Sequence, residues 1–147
     1  MNTTKFMQLA LNEAKKSGED LPIGCVIVKN GEIIASAHNE KELTENPTAH
    51  AEMLCIKRAS KVLGARMNGC EMYVTLEPCP MCMWAILEAR VDKLFFGAYD
   101  SLYGGSTVLN LKDLANSKIE IKGGILEEEC SALIKNYFWE LRNKNEK

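Results

Sequence analysis

The chain has 147 residues, 46% of them hydrophobic, which suits one domain spanning 1–147 around one sizeable core. Its formal net charge is −2 and its pI is about 5.8, so it lacks the overall basic balance typical of a nucleic-acid binder. No apolar run approaches the roughly 20 residues of a membrane span. The first stretch carries Lys5, Glu13, Lys15 and Lys16 and no signal-peptide apolar block, so the reading is a cytoplasmic protein without a membrane segment. Two of the six cysteines fall in a metal-type motif. Cys25, Cys55 and Cys130 fall on apolar faces and read as buried free thiols in a reducing compartment.

In chain order, a first helix is expected from Thr4 to Lys16, because Met7, Ala10, Leu11 and Ala14 recur at helical spacing and Ser17-Gly18 follows. Ile23 to Val28 is a continuous apolar run, the mark of a strand buried on both faces. Asn30-Gly31 predicts a tight hairpin turn, and Glu32 to Ala37 returns as the second strand. Glu40 to Asn46 reads as a polar loop. Pro47-Thr48 then opens a second helix running to Val62. A third strand covers Met72 to Leu76, a third helix Cys79 to Arg90, and a fourth strand Leu94 to Gly97. Leu109 to Leu114 suits a turn or two of helix, Ile119 to Ile121 a short strand. From Glu127 a long closing helix is amphipathic through Cys130, Leu133, Ile134, Tyr137 and Leu141. A hairpin followed by helical crossovers predicts a mixed five-stranded sheet, parallel after its third strand, in an α/β/α three-layer sandwich.

Two short motifs carry the chemistry. His50-Ala51-Glu52 is followed, 25 residues on, by Pro78-Cys79-Pro80-Met81-Cys82. One imidazole and two thiolates make three zinc ligands and leave a fourth position open, as in a catalytic rather than a structural site. Cys79 and Cys82 stand three apart at a helix start, so both sulfurs share one face. The helix N-terminus favours thiolate there. Pro80 fits the first turn, where a missing N–H costs nothing. On a regular helix His50 and Glu52 would point roughly 200° apart; they converge on one metal only across a helix end. Glu52 heads the stripe Cys55, Ile56, Ala59. A carboxylate on such a face needs a task or a partner, and that of a proton shuttle fits.

The two motifs resemble the signature of the zinc-dependent nucleobase deaminases, and the chain is similar to the cytidine-deaminase-like superfamily. A closer resemblance, to the bacterial tRNA-specific adenosine deaminases, runs through Leu21-Pro22-Ile23-Gly24, His38-Asn39, Pro47 to Glu52, Tyr73 to Cys79, Phe96-Gly97-Ala98 with Asp100, and Gly124-Ile125-Leu126. That resemblance implies a cytidine-deaminase-like fold and one Zn2+ per chain on His50, Cys79 and Cys82. It implies Glu52 as the catalytic proton carrier, moving protons from water to a ring nitrogen and to the leaving amine. It further implies Asn39 hydrogen-bonded to a flipped base, Leu21 packed on that base and Asp100 in a loop that meets the nucleotide backbone. The implied partners are a tRNA anticodon loop and a second copy of the chain. The sequence departs from the family's pattern at Ser101 to Ser106, at Asn116-Ser117 and at Met83-Trp84.

Three functions fit these residues: deamination of adenosine to inosine at a tRNA wobble position, deamination of a free base or nucleoside such as guanine or cytosine, and a silent zinc-stabilised binding module. A buried carboxylate beside an open coordination position argues against the last. Basic residues gather at Lys57, Arg58, Lys61 and Arg66, and again at Arg142, Lys144 and Lys147. If the substrate is RNA, these clusters are the expected phosphate contacts.

Overall fold

The computed structural model describes residues 2–100 and 106–145. Its elements are α1 (Thr3–Ala14), β1 (Gly24–Lys29), β2 (Glu32–His38), α2 (Lys41–Thr44), α3 (Ala51–Leu63), β3 (Cys70–Leu76), α4 (Pro80–Glu88), β4 (Lys93–Ala98), α5 (Ser106–Leu114), β5 (Glu120–Lys122) and α6 (Glu127–Asn145). The strands form one sheet in the order β2-β1-β3-β4-β5. β1 is antiparallel to β2 and to β3, while β3–β4 and β4–β5 are parallel. The expected mixed sheet, its hairpin and its parallel half are all present. Asn30 and Gly31 both take positive φ, +52° and +77°, as a tight hairpin turn demands.

Strand alternation sends successive side chains to opposite faces, and that alternation builds two apolar layers. Val26, Val28, Tyr73 and Phe95 meet Phe6, Met7, Ala10 and Leu11 of α1 and Cys130 of α6. Cys25, Ile27, Met72, Val74, Leu94 and Phe96 meet Ala51, Cys55 and Ala59 of α3 and Met83 and Ile86 of α4. This is the three-layer α/β/α sandwich. At Gly24 α1 and β1 press so close that a Cβ would collide with the Ala10 carbonyl oxygen, which explains a glycine inside a buried strand.

Three expectations need correction. The stretch read as a polar loop contains the single turn α2, anchored from outside: both carboxylate oxygens of Asp20 accept the Glu42 N–H, at 3.0 and 3.1 Å, and one accepts that of Leu43 at 3.4 Å. The second long helix starts at Ala51, not at Pro47-Thr48. Asn46 accepts the Thr48 N–H with its side chain and the Ala49 N–H with its carbonyl, and this turn holds the chain out of helix. Leu141, placed on the apolar face of the last helix, is 42% exposed, because the end of α6 runs past the core. Position 147, with most of the loop after Asp100, lies outside the described residues.

Candidate active site

Two helix starts face each other at one end of the sheet. His50 occupies the N-cap position of α3 with φ −75° and ψ 151°, and Cys79 that of α4 with φ −72° and ψ 168°. Neither side chain caps its own helix, so both are available to something else. The extended backbone at His50 turns its ring toward the side on which Glu52, in the first turn, also lies. This is the helix end across which the two can converge. Pro80 stands at the start of α4, and Cys82 follows in the first turn, wholly buried.

His50 Nδ1 lies 3.7 Å from Cys79 Sγ and 3.4 Å from Cys82 Sγ. All three donor atoms fall within 4.8 Å of one another. A tetrahedral zinc with ordinary Zn–N and Zn–S bonds separates nitrogen from sulfur by roughly 3.6 Å, so these residues fit zinc without rearrangement. They form the one such cluster of three among the described residues. The hydrogen bond from Cys82 holds the Cys79 thiol well below its ordinary value, and the same contact together with burial pushes Cys82 up. Contact with Cys79 raises His50, with burial and the nearby Lys41 ammonium opposing.

Glu52 is 4% exposed, and its Oε1 has no hydrogen-bond partner. Burial pushes its carboxyl up to about 7. An orphaned buried carboxylate oxygen beside two cysteine sulfurs and an imidazole is expensive as structure and intelligible as a proton carrier, whose best pKa lies near the working pH.

A cavity of about 520 Å³ opens over this cluster, and Leu21, Asn39, His50, Glu52, Cys79 and Asp100 all line it. The structure therefore brings every sequence-predicted site residue to one place: all but Cys82 line the cavity, and Cys82 lies buried beneath it in the donor cluster. Asn39 is 6% exposed, and its Oδ1 accepts the Ala51 N–H at 2.7 Å. A backbone N–H can only donate, so this bond fixes the amide orientation and leaves the NH2 group as the end able to donate elsewhere. Asp100 donates its N–H to Glu77 Oε1 at 3.0 Å.

Sequence reasoning missed part of the wall. Asp20, Lys41 and Glu77 line the cavity, as do Ile134, Tyr137 and Phe138 of α6. Glu77 had a signal, an acid directly before the cysteine motif. Tyr137 and Ile134 carried helical periodicity and read as core. Asp20 and Lys41 had no local signal. The basic cluster on α3 is partly engaged: Arg58 donates to the Ser36 carbonyl at 2.8 Å and pairs with Glu40 at 3.0 Å. Lys144 lies 3.9 Å from Glu19.

Comparison with known proteins adds the chemistry of relatives. Residues 1–98 match the cytidine and deoxycytidylate deaminase zinc-binding region. The chain is 49% identical over 145 residues to the tRNA-specific adenosine deaminase of Bacillus subtilis strain 168, covering 95% of this chain and 90% of that protein. It is 44% identical over 148 residues to the tRNA-specific adenosine deaminase of Aquifex aeolicus strain VF5, covering 97% of this chain and 98% of that protein. A structure solved in studies of A-to-I editing by tRNA:A34 deaminases superposes with a TM-score of 0.82 at 38% identity, covering 88% of this chain and 99% of that one. Guanine deaminase from Bacillus subtilis gives a TM-score of 0.66 at 37% identity, covering 75% and 76%.

Proposed function

The chain belongs to the cytidine and deoxycytidylate deaminase family of zinc-binding proteins, within it to the tRNA-specific adenosine deaminases, and we propose that it converts adenosine to inosine at the wobble position of a tRNA anticodon loop. The observation that carries this reading is the orphaned Glu52 oxygen facing the His50, Cys79 and Cys82 donors at the base of an open cavity.

When bound, zinc supplies a Lewis acid that brings the pKa of water toward neutrality. Glu52 accepts a proton from the attacking water and passes it to the ring nitrogen next to the reacting carbon. Glu52 then delivers the second water proton to the exocyclic amine. Ammonia leaves, and the carbon keeps the oxygen as a carbonyl. One carboxyl group thus moves both protons and ends as it began. Asn39 donates its amide N–H to the base, Leu21 packs on it, and the Asp100 loop meets the nucleotide backbone.

Residues 1–147 act as one deaminase domain, working as a homodimer in the cytoplasm. Supporting the dimer, Val62 on α3 and Met81 and Trp84 on α4 are large apolar side chains 67%, 37% and 38% exposed in the single chain. Supporting the cytoplasm, Cys25, Cys55, Cys70 and Cys130 are buried free thiols. No helix among the described residues is long and apolar enough to cross a membrane.

The test offers the zinc-loaded protein an anticodon stem-loop with adenosine at the wobble position and, separately, adenosine, guanine and cytosine. Inosine is expected in the stem-loop, with slow or no turnover of free adenosine, because contacts to neighbouring nucleotides offset the cost of unstacking the base. Rapid turnover of a free base with no inosine in the RNA would replace this reading by a small-molecule deaminase.

A further inference from the structure

The cavity wall has an unexpected charge pattern for a site that receives RNA. Five carboxylate side chains line it: Asp20, Glu42, Glu52, Glu77 and Asp100. Among the described lining residues Lys41 is the only lysine or arginine. Lys41 is exposed and forms no ion pair among the described residues. It stands two positions after Asn39, on the same rim. A nucleotide whose base reaches Asn39 and Leu21 leaves its phosphates at that rim, where an acidic wall repels them unless a cation intervenes.

Lys41 does not hold its place unaided. It opens α2, a single turn too short to be stable alone. The preceding Glu40 makes no cap, and its carboxylate is committed to Arg58. The missing cap comes from Asp20, 22 residues away, through the three bonds to Glu42 and Leu43 described above. Asp20 is 4% exposed, a depth at which a carboxylate needs such donors. It also directly precedes Leu21, so one side chain ties the two segments that bear Leu21 and Lys41 into a single rim.

Resting on the tRNA reading above, we infer that Lys41 takes a phosphate flanking the flipped adenosine, and that Asp20 is the positioning residue that sets Lys41 there. Lys41 then discriminates an adenosine within RNA from free adenosine, which has no phosphate to offer.

The test measures kcat and KM of zinc-loaded protein on the anticodon stem-loop across a salt series. Lys41→Ala is expected to raise KM about fivefold rather than lower kcat, and to flatten the slope of log kcat/KM against log salt by about 0.7. Lys41→Arg restores both. A stem-loop with neutral methylphosphonate linkages flanking the target adenosine should lose the same factor with wild-type protein and nothing more with Lys41→Ala. Asp20→Asn should raise KM in the wild-type background and add little on top of Lys41→Ala. Unchanged KM and salt slope in Lys41→Ala, beside a wild type that edits the stem-loop, would overturn this inference and leave the deaminase reading standing. Additivity of Asp20→Asn with Lys41→Ala, at equal zinc content, would overturn the positioning role. A wild type that makes no inosine in the stem-loop would remove the reading on which both rest.

Discussion

The base of the site and its rim are built by different means. The base is local: His50, Glu52, Cys79 and Cys82 sit at or within a turn of two helix starts, and each short motif sets its own geometry. The rim is assembled from distance. Asp20 reaches across 22 residues to α2, and Tyr137 of α6 donates its hydroxyl to the Glu19 carbonyl 118 residues earlier, at 3.2 Å. In the function proposed above, the base supplies an activated water and a proton carrier. In that proposal the rim selects what is brought to it. This division fits the occurrence of tRNA deaminases and a guanine deaminase among proteins of similar structure.

The sharpest way to break the comparison is to remove the base and ask whether the rim survives. Cys82→Ala is expected to drop zinc well below one per chain by elemental analysis, abolish deamination, and lower the unfolding midpoint, because metal binding and folding are coupled. Chelation of the wild type should reproduce the loss of activity. Full zinc occupancy in the variant would remove Cys82 from the ligand set. Glu52→Gln comes next in size. It keeps the shape, the zinc and the fold, yet should cost at least about 10²–10⁴-fold in kcat, the usual worth of a general acid–base group. The loss can exceed that range, since one carboxyl moves two protons. A variant retaining more than about a tenth of the wild-type kcat would show that the buried carboxyl is not the shuttle.

This contrast also explains what the sequence disclosed. The strands around the core were legible because Cys25, Ile27, Met72 and Val74 face one layer and Val26, Val28 and Tyr73 the other, and apolar runs record burial directly. The metal motif was legible because Cys79 and Cys82 share a helix face by spacing alone. The start of α3 was misread by three residues, since Pro47-Thr48 looks like a helix start until the Asn46 side chain claims the Thr48 N–H. Within the basic stretch expected to meet phosphate, Arg58 is engaged with Glu40 and the Ser36 carbonyl, two pairings that no local pattern in the sequence reveals. Asp20 and Lys41 were invisible, because nothing in the residues beside them reveals what lies 22 positions along the chain. Periodicity reports which side of an element is buried; it does not report which distant segments share a rim.

Asn39 lies on the boundary between the two regions, and its variants sharpen the comparison with the smallest expected effect. Its Oδ1 serves the base by capping α3 through the wholly buried Ala51, while its NH2 group is left to serve the rim. Asn39→Ala removes both, and should cost about 0.5–2 kcal/mol of stability, as lost caps do, together with a fall in kcat/KM. Asn39→Asp separates them. A carboxylate oxygen accepts the same Ala51 N–H and is favoured at a helix N-terminus, so the urea midpoint should stay within about 0.5 kcal/mol of wild type. The aspartate has no N–H to offer a base, so kcat/KM on the stem-loop should still fall roughly tenfold. If Asn39→Asp kept full activity, Asn39 would belong to the base alone, and recognition of the adenosine would have to come from other groups on the rim.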